Sequence, residues 1–329
     1  MVDTIQKTAF LFPGQGAQYA GMGKDFYFQF KEAQEIFHLA NEALGFDIAA
    51  ICFHGKQEEL QNTSLCQPAI LTTSIAILEV LKRNAPIHTN GLFASAGLSL
   101  GEYTAHVCAG SLTFQDAVKL VYKRGLFMQE ACNTNPGGML SIIGLEDEKV
   151  EGICAEIKSS GIICAANYNS PGQVVVSGES HVLEKASKLA RERGAKMIIP
   201  LKVNGAFHSD LMSSAGSKLS KELEATPVSK SRIPVVANIH AKYVSEPVEI
   251  KTSLARQLDS PVRWHQSVSL LIQEGFNQFY EIGPGKSLSG LMKRIDPNQK
   301  IINIDTVEAF KNLKNLFNLD REVMNRVIN

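Results

Sequence analysis

The segment GLSLG at residues 97–101 constrains the fold of this chain more than any other. The apolar run GLFASA (91–96) precedes it and predicts a strand, and GEYTAHVCAG (101–110) follows as the start of a helix. A serine between two glycines at such a turn is typical of a nucleophile elbow, because a Cβ at either glycine would crowd the strand or the helix. The turn would expose the hydroxyl of Ser99 in a cleft. The five-residue pattern alone also fits a polar residue in a tight turn.

Alternating strand and helix patterns continue on both sides of the elbow. The predicted elements are a strand at the start of TAFLFPGQGAQ (8–18), helices around residues 28–45 and 69–84, and the strand and helix flanking the elbow. The segment 111–132 predicts a further helix, since Thr113 and Asp116 resemble a capping box and apolar residues then recur at helical spacing. We therefore expect an α/β fold class with a mainly parallel sheet.

After NTNPGG (133–138) the pattern changes to a smaller α+β unit. The elements that follow are a strand MLSIIGL, a helix EDEKVEGICAEIKSSG, strands IICAANYN and QVVVSG, a helix SHVLEKASKLARERG and a strand MIIPLKV. The order βαββαβ is ferredoxin-like. The predicted organisation is a discontinuous large domain (1–132 and 205–310), an inserted subdomain (133–204) and a C-terminal helical tail (311–329).

Composition and charge exclude several classes of protein. The 329 residues are 44% hydrophobic and carry a formal net charge of +0, with a pI near 7.1, so no overall field favours nucleic acid or an anionic membrane. The six scattered cysteines form no C-x-x-C pair and have no histidine at metal-ligand spacing, which predicts reduced thiols and no metal site. No apolar stretch approaches the roughly 18 residues of a membrane span, and no signal-peptide pattern begins the chain. We expect a cytoplasmic protein.

A serine nucleophile needs a base, and His208, His240 and His265 follow the elbow. In hydrolases with this elbow the order is serine, then an acid, then histidine. His208 lies in VNGAFHSDLM, a run from strand into loop where a sheet presents side chains to a cleft, and is the best of the three candidates. No acid stands out between Ser99 and His208, but a backbone carbonyl can also accept the second ring N–H.

Arg124 is the most informative charge in the chain. It shares one face of the 111–132 helix with Ala117, Leu120, Val121 and Met128. A guanidinium on a core-facing stripe needs a partner, because a desolvated charge without one is costly. The partner is either a protein carboxylate in a buried ion pair or a substrate carboxylate gripped bidentately. The residue pattern by itself favours the ion pair.

Seven motifs in register resemble one family. In chain order they are FLFPGQGAQYAGMG, GLSLGEYTA, KRGLFMQEA, NYNSPGQVVVSG, VNGAFHS, QLDSPVRW and EIGPGKSLSGLMKR, spanning residues of about 8–295. They resemble the malonyl-CoA:acyl-carrier-protein transacylases of type II fatty acid synthesis. The resemblance implies a hydrolase-like α/β core with a ferredoxin-like insertion. It also implies transfer of a malonyl group from malonyl-CoA to the phosphopantetheine thiol of acyl carrier protein, through a malonyl-serine.

The resemblance further implies no cofactor and no metal, and acyl carrier protein and malonyl-CoA as the partners of a monomer. Ser99 matches the family nucleophile, His208 its general base, and Gln257 the residue whose backbone carbonyl orients the histidine. Gln15 and Leu100 match the residues whose backbone N–H groups form the oxyanion hole.

Three further positions match substrate-binding residues of the family. Arg124 matches the arginine that holds the malonyl carboxylate, which changes its interpretation from an ion pair to a substrate contact. Phe207 is similar to the residue of malonyl-selective members, and Asn169 lies in the NYNSPGQVVVSG motif. Leu98 departs from the family, whose elbow is most often G-H-S-L-G, and this leaves the balance between transfer and hydrolysis open.

Alternative functions of the same chain are a stand-alone acyltransferase or an acyl hydrolase serving a polyketide synthase, and an inactive carrier-docking protein. Because carrier proteins of this kind are acidic, we expect a local basic surface on this chain. Two candidates are Lys188, Arg191, Arg193 and Lys196 on the insertion, and Lys286, Lys293 and Arg294 near GPGK. Both clusters also fit an ordinary solvated face.

Overall fold

The computed structural model describes residues 7–84, 92–203 and 205–313. The strands are β1 (Lys7–Phe12), β2 (Leu92–Gly97), β3 (Gly138–Ile143), β4 (Ile163–Ser170), β5 (Gln173–Gly178), β6 (Met197–Pro200), β7 (Val235–Ala237), β8 (Lys242–Val244), β9 (Gln278–Ile282) and β10 (Lys300–Ile304). The first helices are α1 (Lys24–Gln29), α2 (Lys31–Leu44), α3 (Ile48–His54), α4 (Gln57–Gln61), α5 (Thr63–Asn84), α6 (Gly101–Cys108) and α7 (Phe114–Thr134). The later helices are α8 (Asp147–Ile157), α9 (Ser180–Glu192), α10 (Ser213–Ala225), α11 (Pro247–Arg256), α12 (Trp264–Gln273) and α13 (Ser287–Ile295).

The larger sheet has the strand order β10-β9-β1-β2-β7-β8, and its strands pair in parallel except for β8. In the register of β1 and β2, Phe12 lies opposite Gly97. The carboxyl ends of these two central strands therefore meet, and the loops that leave them lie side by side. Ligand sites of open α/β sheets form at this edge.

Helix α5 is the most deeply buried long helix of the large core. It starts earlier than the predicted residue 69, because the Asn62 carboxamide oxygen accepts the Ser64 N–H at 3.0 Å and caps the helix. By length and composition α5 could cross a membrane, so the expectation that no stretch was apolar enough was wrong. Of its 18-residue apolar window, 89% is buried inside the fold, which is the environment of a core helix.

The smaller sheet is antiparallel, with the order β4-β5-β3-β6. Helices α8 and α9 share one apolar core with it. The order βαββαβ and this pairing are those of a ferredoxin-like unit. The unit is joined to the large domain by backbone hydrogen bonds from Tyr168 N–H to Val262 O (2.9 Å) and from Val262 N–H to Ala166 O (2.8 Å).

The predicted fold class is confirmed: a mainly parallel α/β core stands beside a ferredoxin-like subdomain. The domain boundaries stay a prediction, and α7 continues to Thr134, two residues past the predicted boundary. The predicted helical patterns at 28–45 and 111–132 correspond to α2 and α7. The C-terminal tail is helical over residues 311–313, and its remainder lies outside the described residues.

Candidate active site

The elbow between β2 and α6 requires both of its glycines. A Cβ on Gly97 would lie 1.9 Å from the carbonyl carbon of Gly101, and a Cβ on Gly101 would lie 2.1 Å from the Phe12 oxygen. Ser99 between them has a φ of 52°, which side-chain-bearing residues adopt only under constraint. The steric argument made from the sequence is thus confirmed, and the turn places the Ser99 hydroxyl at the cleft.

Ser99, His208 and Gln257 form one hydrogen-bonded chain. Ser99 Oγ lies 2.8 Å from His208 Nε2, and His208 Nδ1 lies 2.8 Å from the main-chain oxygen of Gln257. Because a carbonyl only accepts, the Nδ1 proton points at Gln257 and Nε2 is left to accept the serine proton. The arrangement has the geometry of a nucleophile, its base and the acceptor that orients the base.

The environment of His208 keeps the imidazole neutral. Burial, reinforced by the charge of Arg124, lowers the pKa of His208 to about 4. Backbone groups of Gln257 and Ser260 oppose this shift without cancelling it. At neutral pH the ring is therefore free to accept a proton.

The other two candidate histidines lie elsewhere. His240 Nδ1 accepts the Lys242 N–H at 3.2 Å, and His265 Nε2 lies 2.8 Å from the Asp147 carboxylate between the two domains. The structure therefore brings His208, and neither of these two, to Ser99.

Arg124, a residue only 1% exposed, reaches Ser99 from α7. Its Nη1 donates to Gln67 Oε1 at 2.7 Å, and its Nη2 donates to Ser99 Oγ and to Gln257 Oε1, both at 3.1 Å. The Tyr103 ring lies 5.6 Å from the guanidinium carbon. Among the described residues Arg124 has no ion pair with a carboxylate, contrary to the partner that the helical pattern favoured. A buried cation held only by neutral oxygens at a cleft is suited to an anionic ligand.

The backbone N–H groups of Leu100 and Gln15 lie beside the elbow. Leu100 caps the start of α6, where the helix dipole favours negative charge. The loop after β1 packs against the elbow, since Leu98 N–H donates to Phe12 O at 3.1 Å and a Cβ on Gly14 would lie 2.3 Å from Leu98 O. Within the described chain neither N–H has a protein acceptor, so both can donate to an oxyanion.

The cleft above Ser99 has a volume of about 300 Å³ and lies between the two sheets. Phe207, 6% exposed, and Asn169 both line it. The carboxamide oxygen of Asn169 is buried and has no hydrogen-bond partner among the residues that the structure describes. The other lining residues are Gly14, Gln15, Gly16, Leu98, Ser99, Arg124, Met128, Met139, Asn167, Gln173, Val175, Leu201, Val203, His208, Ser287 and Leu291.

Across residues 7–84, 92–203 and 205–313, no group of three or more His, Cys, Asp or Glu side chains could hold a metal ion.

Sequence reasoning missed three polar residues around the nucleophile. Gln67 holds Arg124, and Asn238 accepts the Ser99 N–H at 2.7 Å while donating to Gly97 O at 2.8 Å. Glu102, the residue directly after the elbow motif, is a fully buried acid near Ser99. The one available signal was Glu102 itself, a carboxylate three residues after the serine in an otherwise apolar helix start.

Comparison with known proteins decides the family. The acyl transferase domain family matches residues 9–300. Over 310 residues the chain is 44% identical to the malonyl CoA-acyl carrier protein transacylase of Bacillus subtilis, which covers 93% of this chain and 96% of that protein. This chain belongs to the malonyl-CoA:acyl-carrier-protein transacylase family. The Haemophilus influenzae transacylase is 42% identical over 306 residues, covering 93% and 97% of the two chains.

Solved structures of transacylases share the whole fold. The malonyl CoA-acyl carrier protein transacylase of Clostridium perfringens superposes with a TM-score of 0.90 at 40% identity, covering 98% of this chain and 100% of that one. A malonyl transacylase in complex with a type II polyketide synthase acyl carrier protein superposes with a TM-score of 0.89 at 38% identity, covering 94% and 99%. The resemblance drawn from the seven motifs is confirmed, and the protein is an acyltransferase.

Proposed function

We propose that this acyltransferase moves the malonyl group of malonyl-CoA to the phosphopantetheine thiol of acyl carrier protein in fatty acid biosynthesis, with Ser99 as the acyl carrier. The observation that carries the proposal is the guanidinium of Arg124, buried, held by neutral oxygens and 3.1 Å from Ser99 Oγ. A substrate whose acyl group ends in a carboxylate supplies the missing counter-charge next to the nucleophile.

In the first half-reaction the neutral His208 removes the Ser99 proton as Oγ attacks the thioester carbonyl carbon. The N–H groups of Gln15 and Leu100 stabilise the oxyanion, and losing one such donor typically costs ~100- to 1000-fold in rate. The imidazolium then returns the proton to the CoA sulfur as the C–S bond breaks. The products of this half are free CoA and a malonyl-serine ester.

In the second half-reaction the thiol of the carrier's phosphopantetheine gives its proton to His208, and its sulfur attacks the ester carbonyl carbon. The C–O bond to Ser99 breaks, and His208 returns the proton to Oγ. The Gln257 carbonyl, 2.8 Å from His208 Nδ1, orients the ring through both halves. No cofactor and no metal are needed for these steps.

Selectivity for malonyl follows from Arg124 and Phe207. An acetyl group would leave the guanidinium buried without a counter-charge, which discriminates strongly against it. Phe207 beside His208 limits the room for a branched acyl group. Asn169, whose carboxamide oxygen is buried and unpaired, would accept a hydrogen bond from an amide of the bound pantetheine arm.

The carrier would approach the cleft over the small subdomain. Lys188 and Arg191 border a groove between α9 and β6, whereas Arg193 and Arg294 are held by Glu156 and Gln173. Free basic side chains fit an acidic carrier. We propose a monomer in the cytoplasm with acyl carrier protein as its macromolecular partner, and with no membrane or nucleic acid partner.

Intact-protein mass spectrometry tests the proposal. The protein is mixed with malonyl-CoA or acetyl-CoA, and holo acyl carrier protein is then added. We expect a malonyl adduct that moves to the carrier, a weak acetyl adduct, and no adduct on Ser99→Ala. An adduct lost to water before it reaches the carrier would instead indicate a hydrolase, and the apolar Leu98 beside Ser99 would be tested first. No adduct at all would indicate a docking protein.

A further inference from the structure

A buried polar cluster lies under the nucleophile and takes no direct part in the proposed steps. It consists of Glu102 on α6, Asn238 after β7, and the side chain of Gln257, each 0% exposed. Glu102 Oε2 accepts the Asn238 backbone N–H at 3.0 Å and the Gln257 Nε2 at 2.6 Å. Burying a carboxylate away from water costs desolvation free energy, so its contacts in this cluster must compensate for that cost or serve a function.

The contacts of Gln257 set the orientation of its side-chain amide. Its Nε2 faces acceptors only: Glu102 Oε2 at 2.6 Å, Ser99 O at 3.0 Å and Asn238 Oδ1 at 3.3 Å. Its Oε1 faces the Nη2 donor of Arg124 at 3.1 Å. The reversed amide would put oxygen against oxygen on one side and donor against donor on the other. Of these three acceptors of Gln257 Nε2, Glu102 makes the shortest contact and is the one that can be ionised.

Gln257 is shared by both parts of the site. Its main-chain oxygen holds the imidazole of His208, and its side-chain oxygen holds the guanidinium of Arg124. A displacement of this one residue therefore moves the base and the carboxylate-binding group together. A misplacement of about 1 Å at such groups can cost on the order of 100-fold in rate.

We propose that Glu102 is a positioning residue whose hydrogen bond holds the side chain of Gln257 in place. Gln257 in turn orients Arg124 towards the substrate carboxylate and His208 towards Ser99. This inference rests on the proposed malonyl transfer, because it assigns selectivity to the placement of Arg124. Glu102 is well suited to the task, since its backbone is part of α6 and its Oε2 is tied to Asn238.

The positioning needs an acceptor oxygen and does not need a charge. Burial raises the pKa of Glu102 to about 7, although its hydrogen bonds and the charge of Arg124 act in the opposite direction. Its second oxygen, Oε1, has no partner within the described chain and can take the proton. Oε2 then still accepts from Gln257, and a glutamine at this position would present an equivalent oxygen.

The test compares Glu102→Ala, Glu102→Gln and Thr104→Val in the full-length protein. Thr104 lies on the same helix, is 0% exposed, and has a hydroxyl outside the cluster with no partner in the described chain, so it is the matched control for a buried change in α6. Single-turnover acylation is measured by quenched intact mass with malonyl-CoA and with acetyl-CoA. The decisive quantity is the ratio of the two rates, because partial unfolding lowers both rates equally and leaves the ratio unchanged.

We expect Glu102→Ala to lower malonyl acylation about 10- to 100-fold and to lower the malonyl-to-acetyl ratio at least about threefold. Glu102→Gln should recover most of both quantities, and Thr104→Val should match the parent. An unchanged ratio in Glu102→Ala, or a Glu102→Gln variant as impaired as Glu102→Ala, overturns the inference. Absence of any adduct on the parent would instead overturn the proposed function.

If Glu102→Ala does not fold, Gln257→Met gives the same decision. It removes the side-chain amide and keeps the main-chain carbonyl that holds His208. A lowered malonyl-to-acetyl ratio supports the link from Gln257 Oε1 to Arg124, through which Glu102 would act. A ratio equal to that of the parent overturns it.

Discussion

The two walls of the cleft differ in the charge and hydrogen bonding of their side chains. The wall from the large domain carries Ser99, His208, Arg124 and Gln257, each at most 9% exposed and hydrogen-bonded to another member of the set. The opposite wall, from the small subdomain, carries no charged side chain among its described lining residues, which are Met139, Asn167, Asn169, Gln173, Val175, Leu201 and Val203. The carboxamide oxygen of its Asn169 is buried and has no partner among the described residues.

This difference indicates a division of work. Fixed dipoles and a fixed charge in a water-poor site stabilise developing charge without reorganising during the reaction. The wall from the small subdomain contributes shape, and the carboxamide oxygen of Asn169 can accept a hydrogen bond from the substrate. Changes in the first wall should alter the rate of chemistry and the choice of acyl group, and changes in the second should alter binding.

The largest effect should come from Arg124→Ala, since Arg124 is the one Arg or Lys that lines the cleft in the described part of the chain. A desolvated charge pair lost on binding is worth about 2–5 kcal/mol, so malonyl acylation should fall about 30- to 5000-fold. Acetyl acylation should change by less than about tenfold, because acetyl never contacts the guanidinium. The acylation rates with malonyl-CoA and acetyl-CoA are measured by quenched intact-protein mass spectrometry. An equal loss of rate for both thioesters would contradict the assignment of Arg124 to the malonyl carboxylate.

A smaller effect is expected from pH. The His208 pKa of about 4 lies below the ordinary value, so the base is neutral and active above that pH and is lost by protonation below it. Acetyl-CoA has no acyl carboxylate to titrate and therefore reports the histidine alone. Its acylation rate should be level from pH 8 to 5 and roughly fourfold lower at pH 3.5.

Circular dichroism over the same range controls for acid unfolding. A half-maximal rate near pH 6.5 would mean that burial and Arg124 do not act on His208 as inferred. Since Arg124 is one cause of the lowered pKa, Arg124→Ala should move the midpoint of the profile upward.

The smallest effect should come from the opposite wall. Asn169→Ala removes a carboxamide that contacts none of the catalytic groups, so KM for malonyl-CoA should rise about three- to tenfold with kcat nearly unchanged. The neighbouring Ser170→Ala is the control, because Ser170 is 0% exposed, does not line the cleft, and has a hydroxyl with no partner among the described residues. A fall in kcat for Asn169→Ala would show that the two walls do not divide the work in this way.

Local patterns predicted much of this molecule. The elbow was predictable because its constraint acts within five residues, and the Cβ clashes at Gly97 and Gly101 show that constraint directly. The start of α7 was predictable because Thr113 caps it by accepting the Asp116 N–H at 3.1 Å. The placement of Arg124 on a buried stripe followed from helical periodicity alone.

The partners of these groups were not predictable in the same way. The contacts of Gln67 with Arg124, of Asn238 with Ser99 and of Gln257 with Glu102 join residues that are 57 to 155 positions apart in the sequence. Carboxamides are ordinary surface residues, and no periodicity marks the few that are buried. The apolar length of α5 likewise could not show that the helix is surrounded by its own protein.

The sequence by itself determined the elbow, the βαββαβ insertion, the buried arginine and the family, because each depends on short-range sterics, periodicity or motif order. The tertiary structure decided which histidine meets Ser99, that no carboxylate of the described residues pairs with Arg124, and that Glu102 lies where it can support both through Gln257. These are outcomes of packing between distant segments, where the cost of leaving a buried polar group unpaired selects the partners.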